Sequence, residues 1–317
     1  MRNSIFIFYF LLVGGVIRLT AQDADLSMMY LARMYYNPAF AGLEGGRASM
    51  AFRDHYPGSD AAFVTAVASW DQQVEFLHGG YGVMLMHDRS AGGMMTLTGL
   101  SLTYSYHLQI SRTLFLNSGF TASLMQNHFN ADGLILPDMI SPTGGVVLPP
   151  GETIVSESHF FPDFTVGFLL YSKNWSGAVA AWHLMQPYRS EVKNDQTVLK
   201  RKYTVLLSYT FQGRDDLSFV PWGGGMIQGR SQLYLVGGQV NYKFVSAGVA
   251  WKKSFGNQYD VAVIAIGLGV GNMRFMYSYD AFINTPPGRT GGGAHEAGIV
   301  MELAKSRQRK TIIFPQL

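Results

Sequence analysis

Residue types that carry out acid–base chemistry are sparse in this sequence, and one group of them ends a strand-like run. His87-Asp88-Arg89 combines a titratable ring, a carboxylate and a cation, which together suit proton transfer. No serine has a matching setting as a nucleophile, and no second carboxylate is paired with the group. An ion cluster at the rim of a sheet therefore explains these three residues better than a catalytic site.

Metal binding is the second chemistry to consider. His159 and the pair His295-Glu296 could bind a metal together with loop carboxylates, but their spacing matches no metal-site template. Cysteine is absent, which excludes disulfides, thiolate metal sites and cysteine nucleophiles. We therefore expect solvated polar residues at these positions, and neither a metal nor a cofactor.

Two glycine-rich stretches invite a comparison with nucleotide-binding loops. They are Gly223-Gly224-Gly225 and Gly267-Leu268-Gly269-Val270-Gly271. A phosphate is bound by the free amides where such a loop opens a helix. Neither stretch precedes a helical pattern, so we interpret both as strands with small side chains on one face.

The composition is that of a chain with little surface in water. Among 317 residues, 36 are Gly, 14% are aromatic and only 14% are charged, whereas about a quarter of an average soluble domain is charged. The net charge is +3, with no clustered basic face of the kind that binds nucleic acid. Sixteen Met and seventeen Tyr suit a surface in contact with membrane lipid.

Residues 1–21 have the pattern of a cleaved signal peptide. Arg2 supplies the basic start, Ile5 to Val13 the apolar run, and Thr20-Ala21 the small residues of a cleavage site. The alternative, a membrane anchor, needs a longer apolar run than the one that Arg18 closes. No later segment approaches 18 unbroken apolar residues, so any membrane crossing must use strands.

Hydrophobic alternation with a period of two is clearest between Leu97 and Gln126. In its first half, the apolar side chains fall on every second residue: Leu100, Leu102, Tyr104, Tyr106 and Leu108. Small or polar residues lie between them, so one face is apolar and the other is not. Each strand is about as long as a tilted bilayer crossing, roughly 9–11 residues. A half-buried soluble sheet would show the same alternation.

Link lengths decide between these two architectures. Fourteen strand-like runs lie near 47–55, 61–72, 80–88, 95–109, 113–127, 161–172, 175–184, 202–212, 216–227, 231–241, 243–254, 259–270, 273–283 and 294–304. Links after even-numbered runs are short, and the three long ones, 128–160, 185–201 and 284–293, all follow odd-numbered runs. Outer-membrane barrels have short periplasmic turns and long outer loops. The sequence therefore predicts an all-β, antiparallel transmembrane β-barrel of about 14 strands over 46–304.

Two segments flank the predicted barrel. Residues 22–45 contain turn chemistry, Asn37-Pro38 followed by Gly42, and could lie in the periplasm or plug the barrel. The tail, 305–317, concentrates positive charge at Lys305, Arg307, Arg309 and Lys310. Such a run is usually a solvated tail, although it could steer a partner.

Short motifs in this chain resemble those of the PorP/SprF family of type IX secretion system membrane proteins. The stretch Tyr35, Tyr36, Asn37, Pro38, Ala39, Phe40, Ala41 and Gly42 is similar to the family's "YYNPAYAG". Further resemblances follow in family order: Tyr81 to Asp88, Pro162-Asp163-Phe164, His183 to Pro187, Tyr277 to Asp280, and Gly293 to Glu296. The last strand and the link 128–160 depart from the family pattern.

The resemblance implies a non-catalytic outer-membrane barrel that supports type IX secretion or gliding motility in Bacteroidetes. It implies partners among periplasmic ring lipoproteins, or one large secreted surface adhesin. We hypothesise that Tyr35 to Gly42 docks against the barrel and shapes its periplasmic surface. A passive porin-like channel and a lipid-modifying enzyme remain as alternatives, the enzyme being weakened by the missing nucleophile.

Overall fold

The predicted alternating runs form strands in the computed structural model, which describes residues 23–29, 31–58, 62–131, 139–140, 155–190, 197–255, 260–283 and 293–305. Within these ranges there are fourteen strands: β1 Gly45–His55, β2 Phe63–Val74, β3 Gly79–Ser90, β4 Met95–Gln109, β5 Phe115–Phe129, β6 Glu157–Tyr171, β7 Trp175–Trp182, β8 Lys202–Tyr209 and Phe211–Gln212, β9 Leu217–Gln228, β10 Ser231–Tyr242, β11 Val245–Ser254, β12 Asp260–Val270, β13 Met273–Phe282 and β14 Ala294–Lys305. The two segments of β8 count as one strand because both pair with β9.

The sheet closes on itself. Each strand pairs antiparallel with its neighbours in the sequence, and β14 returns to pair with β1, where Gly45 lies opposite Lys305. Closure leaves no free sheet edge, so the backbone groups of the wall are satisfied within it. Among the described residues, no helix is long and apolar enough to cross a bilayer. The predicted antiparallel barrel of 14 strands is confirmed.

The two faces of the wall differ as the alternation predicted. In β4 the outward side chain of Leu102 is 59% exposed, whereas its inward neighbour Thr103 is 5% exposed. Inward hydroxyl groups pair across strands, with 2.7 Å between the hydroxyls of Thr103 and Thr121. Apolar side chains therefore face lipid, and small polar ones face the lumen.

The two ends of the barrel differ in link length. At the end where β1 starts, here called the short-turn end, the links are 75–78, 110–114, 172–174, 213–216, 243–244 and 271–272. At the opposite end, the long-loop end, lie the longest links, 130–156, 183–201 and 283–293. The predicted sorting of link lengths is therefore present in the structure.

The lumen segment, residues 23–29 and 31–44, crosses the interior of the barrel. The backbone N–H of Asp23 donates to Gln228, the last residue of β9 at the long-loop end (3.0 Å). Glu44 precedes β1 at the short-turn end. Between them lie a short helix α1, Arg33–Tyr36, and a 3-10 turn, Pro38–Phe40.

The described part of residues 22–45 lies inside the barrel, which is the plug location of the two considered for this segment. The inward side chains of the wall are mostly small, and a ring of fourteen strands leaves space that they cannot fill. The lumen segment lies within this space and is buried there.

Several predicted features lie outside the described residues. These are the leader 1–21, the tail residues Arg307, Arg309 and Lys310, and much of the link 128–160. Lys305 ends β14, and only its backbone is described.

Candidate functional site

The family-like motif, Tyr35 to Gly42, is buried along its whole length inside the barrel. Its Asn37 side chain donates to two carbonyl oxygens of the wall, Phe168 at 3.2 Å and Val179 at 2.9 Å. The Oδ1 atom of the same side chain accepts the N–H of Ala39 (2.8 Å) and so caps the 3-10 turn. One side chain therefore shapes the motif and attaches it to both β6 and β7.

Glycines in the wall allow the motif to approach the backbone of the strands. A Cβ atom built on Gly119 would lie 2.3 Å from the nitrogen of Ala39, and one on Gly167 would lie 2.2 Å from Oδ1 of Asn37. Real Cβ atoms do not come this close to other heavy atoms. The seat of the motif thus requires residues without side chains at these two strand positions.

Backbone carbonyls of the motif accept hydrogen bonds from inward side chains. The carbonyl oxygen of Ala39 accepts from Ser105 (3.2 Å) and from Asn117 (3.3 Å). The carbonyl oxygen of Ala41 lies 3.1 Å from Nε2 of His107. These contacts satisfy polar groups that would otherwise be buried without partners.

The two tyrosines of the motif hold the preceding part of the lumen segment. The hydroxyl of Tyr35 donates to the carbonyl of Ala24 at 2.5 Å, and the hydroxyl of Tyr36 donates to that of Leu26. The carbonyl of Tyr36 accepts from the Thr204 hydroxyl of the wall (3.2 Å). The lumen segment is therefore folded against itself as well as against the barrel.

Asp23 lies in a buried group of charges at the long-loop end, here called the Asp23 cluster. Its carboxylate lies 2.7 Å from Nε2 of His183, 2.8 Å from Nζ of Lys202 and 3.1 Å from Nη2 of Arg189. The other ring nitrogen of His183 lies 2.8 Å from Asp163. This ring thus bridges a carboxylate of the wall and a carboxylate of the lumen segment.

The charges of the Asp23 cluster support one another. Burial alone would raise the pKa of Asp23, but Lys202, His183 and Arg189 outweigh burial and hold that pKa well below its ordinary value. Burial alone would lower the pKa of His183, but Asp23 and Asp163 outweigh it and raise that pKa. The cluster therefore favours an ionised Asp23 facing a protonated His183.

A second buried group, the Glu296 cluster, surrounds Ser27. Arg53 contacts Asp280 at 2.8 Å and Glu296 at 3.1 Å. The Ser27 hydroxyl donates to Asp280 (2.7 Å) and lies 2.9 Å from Nζ of Lys252. Four strands, β1, β11, β13 and β14, contribute these charged side chains, which are almost fully buried.

Glu296 also binds the backbone of the lumen segment. Its two carboxylate oxygens accept the N–H groups of Ser27 at 2.6 Å and of Met28 at 3.0 Å. Charge-assisted hydrogen bonds of this kind are stronger than neutral ones. The carboxylate thus holds the peptide backbone itself, independently of the side chains at these two positions.

The lumen segment leaves little free volume on its side toward β3–β6. The cavity between it and the wall measures about 30 Å³ and is lined by Asp23, Tyr35, Met84, Met125 and their neighbours. A water molecule needs roughly 10–15 Å³ on this measure. This cavity therefore has room for only about two water molecules.

The residues considered first for chemistry do not converge on one site. His87 faces Thr98 (3.1 Å), Asp88 accepts from Thr65 (2.6 Å), and Arg89 donates to the carbonyl of Gly92. Each of the three thus has a separate partner near the long-loop rim.

The metal candidates are likewise separated. His295 is hydrogen-bonded to Tyr277 on the outward face, whereas Glu296 points inward. Among the described His, Asp and Glu side chains, no group of three is arranged to hold a metal ion.

The buried charges of the two clusters were only partly foreseen from the sequence. Asp280 and Glu296 lie in stretches that resemble family motifs, but those motifs do not indicate a buried cluster of charges. The signal that could identify Arg53, Lys202 and Lys252 is a charged residue at an inward position of an alternating strand. Asp23 carried no such signal because its segment has no period.

Comparisons with known proteins agree with this architecture. The fold is similar to that of the toluene transporter TbuX of Ralstonia pickettii, with a TM-score of 0.52, 11% identity, and coverage of 91% of this chain and 96% of that one. A FadL homologue of Pseudomonas aeruginosa has a TM-score of 0.48 and 11% identity, with 89% and 97% covered. Among curated protein sequences, none matches this chain.

The family model described as "Type IX secretion system membrane protein PorP/SprF" matches residues 19–301. Together with the closed barrel, this match places the protein in the outer membrane, and the short-turn end is the periplasmic end of such a barrel. The resemblance inferred from the short motifs is confirmed. The chain belongs to the PorP/SprF family of type IX secretion system membrane proteins.

Proposed function

We propose that this protein is a non-catalytic outer-membrane component of type IX secretion or gliding motility, and that it does not serve as a passive channel. The observation that carries this proposal is the occupied lumen. The lumen segment is attached near the long-loop end through Asp23 and Ser27 and near the short-turn end through Asn37. A porin-like role would require this segment to leave its seat.

Leaving the seat would be costly for the barrel. The wall glycines fit the segment closely, and their small size offers no alternative packing if the segment departs. Buried cations such as Lys202 and Lys252 would lose the carboxylates of Asp23 and Asp25. Removing one partner of a buried ion pair typically costs about 3–5 kcal/mol.

The contacts of the polar residues support the proposal of a role without catalysis. The buried acids and bases contact one another or the lumen segment, and His87, Asp88 and Arg89 have separate partners. The absence of cysteine removes one class of nucleophile. These observations support a protein that acts by binding.

Membership of the family supports partners within the secretion machinery. We propose that periplasmic ring lipoproteins meet the short-turn end, or that a large secreted surface adhesin pairs with the barrel. The side chains from Tyr35 to Gly42 are buried inside the barrel, so a partner would not contact them directly. It would contact the surface of the short-turn end, whose shape depends on how these residues pack. The basic residues Lys305, Arg307, Arg309 and Lys310, at and after the end of the last strand in the sequence, would add electrostatic steering of a partner.

The test is affinity capture from cross-linked outer membranes, combined with conductance of the purified protein in planar bilayers. We expect capture of secretion or motility components, or of one exported surface protein, and no persistent conductance. The Asn37→Ala variant should insert normally yet capture less partner, whereas the control Gly223→Ala should behave as wild type. Persistent conductance by the wild type, with no secretion component captured, would support the passive channel.

A further inference from the structure

We propose that the long-loop half of the lumen is a binding site for an extended acidic peptide, which residues 23–28 occupy in the present structure. The partner would be an acidic stretch of another protein that takes the same site. That this ligand belongs to a secretion partner rests on the proposed function. Binding of an acidic peptide can be tested independently of that function.

The first part of the site is a pocket for a carboxylate. Lys202, His183 and Arg189 all lie within 3.1 Å of the Asp23 carboxylate, and Lys202 and His183 are buried. The ammonium of Lys202 also lies 4.6 Å from the ring of Trp182. Three basic side chains thus contact one carboxylate.

The second part accepts another acid two residues later. The ammonium group of Lys252 lies 2.5 Å from the carboxylate of Asp25 and 2.9 Å from the hydroxyl of Ser27. The site thus recognises carboxylates at the first and third positions and a hydroxyl at the fifth.

The third part recognises the backbone of a peptide. The carboxylate of Glu296 accepts hydrogen bonds from the backbone N–H groups of Ser27 and Met28. The side-chain amide oxygen of Gln228 accepts one from the backbone N–H group of Asp23. These contacts use groups that every peptide carries. A phosphate ion or a lipid head group without N–H donors could not make them, so the site favours a peptide.

Charge explains why the site needs an acidic occupant. Without Asp23, Lys202 and Arg189 would lose the carboxylate that both contact, and His183 would keep only its contact with Asp163. Buried cations that lack a counter-charge are unfavourable. Release of residues 23–28 is therefore coupled to binding of another acidic segment, which is an exchange between two occupants of one site.

The experiment uses the full-length protein in detergent and a fluorescent peptide with the sequence of residues 23–29. A matched peptide carries Asn in place of both Asp residues. In the D23N/D25N variant the internal occupant is weakened, so we expect this variant to bind the acidic peptide about tenfold more tightly than the neutral one. Wild type should bind the acidic peptide more weakly than the variant, because its own segment competes. Adding Lys202→Gln to the variant should remove the preference for acid.

A second readout covers the case in which D23N/D25N does not insert. Because the chain has no Cys, Ala24→Cys provides a single reactive thiol. The acidic peptide should accelerate maleimide labelling of this thiol in the otherwise native protein, and neither the neutral peptide nor inorganic phosphate should do so.

Equal affinity for the two peptides in a folded variant, or labelling rates unaffected by the acidic peptide, would overturn the proposal. Neither result depends on partner capture from cross-linked membranes. Failure of this inference can therefore be distinguished from failure of the proposed function.

Discussion

Gly167 of β6 lies directly against Asn37 of the lumen segment, so that a Cβ atom at Gly167 would sit 2.2 Å from Oδ1 of Asn37. The same Asn37 side chain donates to Phe168, the next residue of β6. One asparagine and one glycine thus define how closely the segment and the wall fit. The Oδ1 atom of Asn37 limits how closely the wall can approach, and its Nδ2 atom donates hydrogen bonds to the wall.

The variant Gly167→Ala should displace Asn37 and loosen the lumen segment while the barrel still inserts. The added methyl group would break hydrogen bonds of Asn37, and each buried polar group left unsatisfied costs about 1–3 kcal/mol. We expect faster maleimide labelling of Ala24→Cys in this background. Gly223→Ala is the control, since a Cβ there would meet its nearest atom at 3.6 Å. Identical labelling in both backgrounds would contradict the close fit.

Leu102→Arg should impair assembly far more than Ile110→Arg. Both side chains are exposed on the outside, at 59% and 51%, but Leu102 is central in β4 whereas Ile110 follows its last residue. Arginine on the lipid face costs about 2–4 kcal/mol near the midplane and about 0–1 kcal/mol near the interface. The yields of folded protein, measured by heat-dependent gel mobility, would test this difference. Similar yields would mean that Leu102 does not face the bilayer core.

Glu296→Gln should release residues 23–28 from the wall. The substitution removes the charge that faces Arg53, and it places an amide donor where Ser27 or Met28 presents an N–H group. Labelling of Ala24→Cys should then accelerate about tenfold, which corresponds to roughly 1.4 kcal/mol. Glu302→Gln, an exposed change in the same strand, should leave the rate unchanged. If Glu296→Gln also leaves it unchanged, the carboxylate does not hold the segment.

Attachment of Asp23 should weaken as pH rises. The folded pKa of His183 is raised above its ordinary value, so its stabilising charge is fully present below about pH 6.5 and is lost as pH rises through the raised pKa. The pKa of Asp23 is lowered, so its carboxylate stays ionised throughout this window, facing Lys202 and Arg189.

The test of this pH dependence is the labelling rate of Ala24→Cys divided by that of Ser111→Cys on an exposed turn. The ratio should increase from pH 6 to higher pH in the native background and stay flat with His183→Gln. A ratio that falls with pH would contradict the assignment.

Local patterns in the sequence determined the barrel. The period of two is a property of each strand by itself, because neighbouring side chains point to opposite faces. It identified the outward side chain of Leu102 and the inward one of Thr103 without knowledge of any partner strand. Link lengths are also local, and their sorting identified the two ends.

The tertiary structure alone decided where the lumen segment lies and which charges it meets. This segment has no period, and its contacts span the whole chain: Ser27 meets Glu296, and Asp23 meets Lys202. These partners come together only after β14 pairs with β1 and closes the ring around a space that small inward residues cannot fill. The motif from Tyr35 to Gly42 was visible as a sequence, but its seat against Gly119 and Gly167 exists only in the closed barrel.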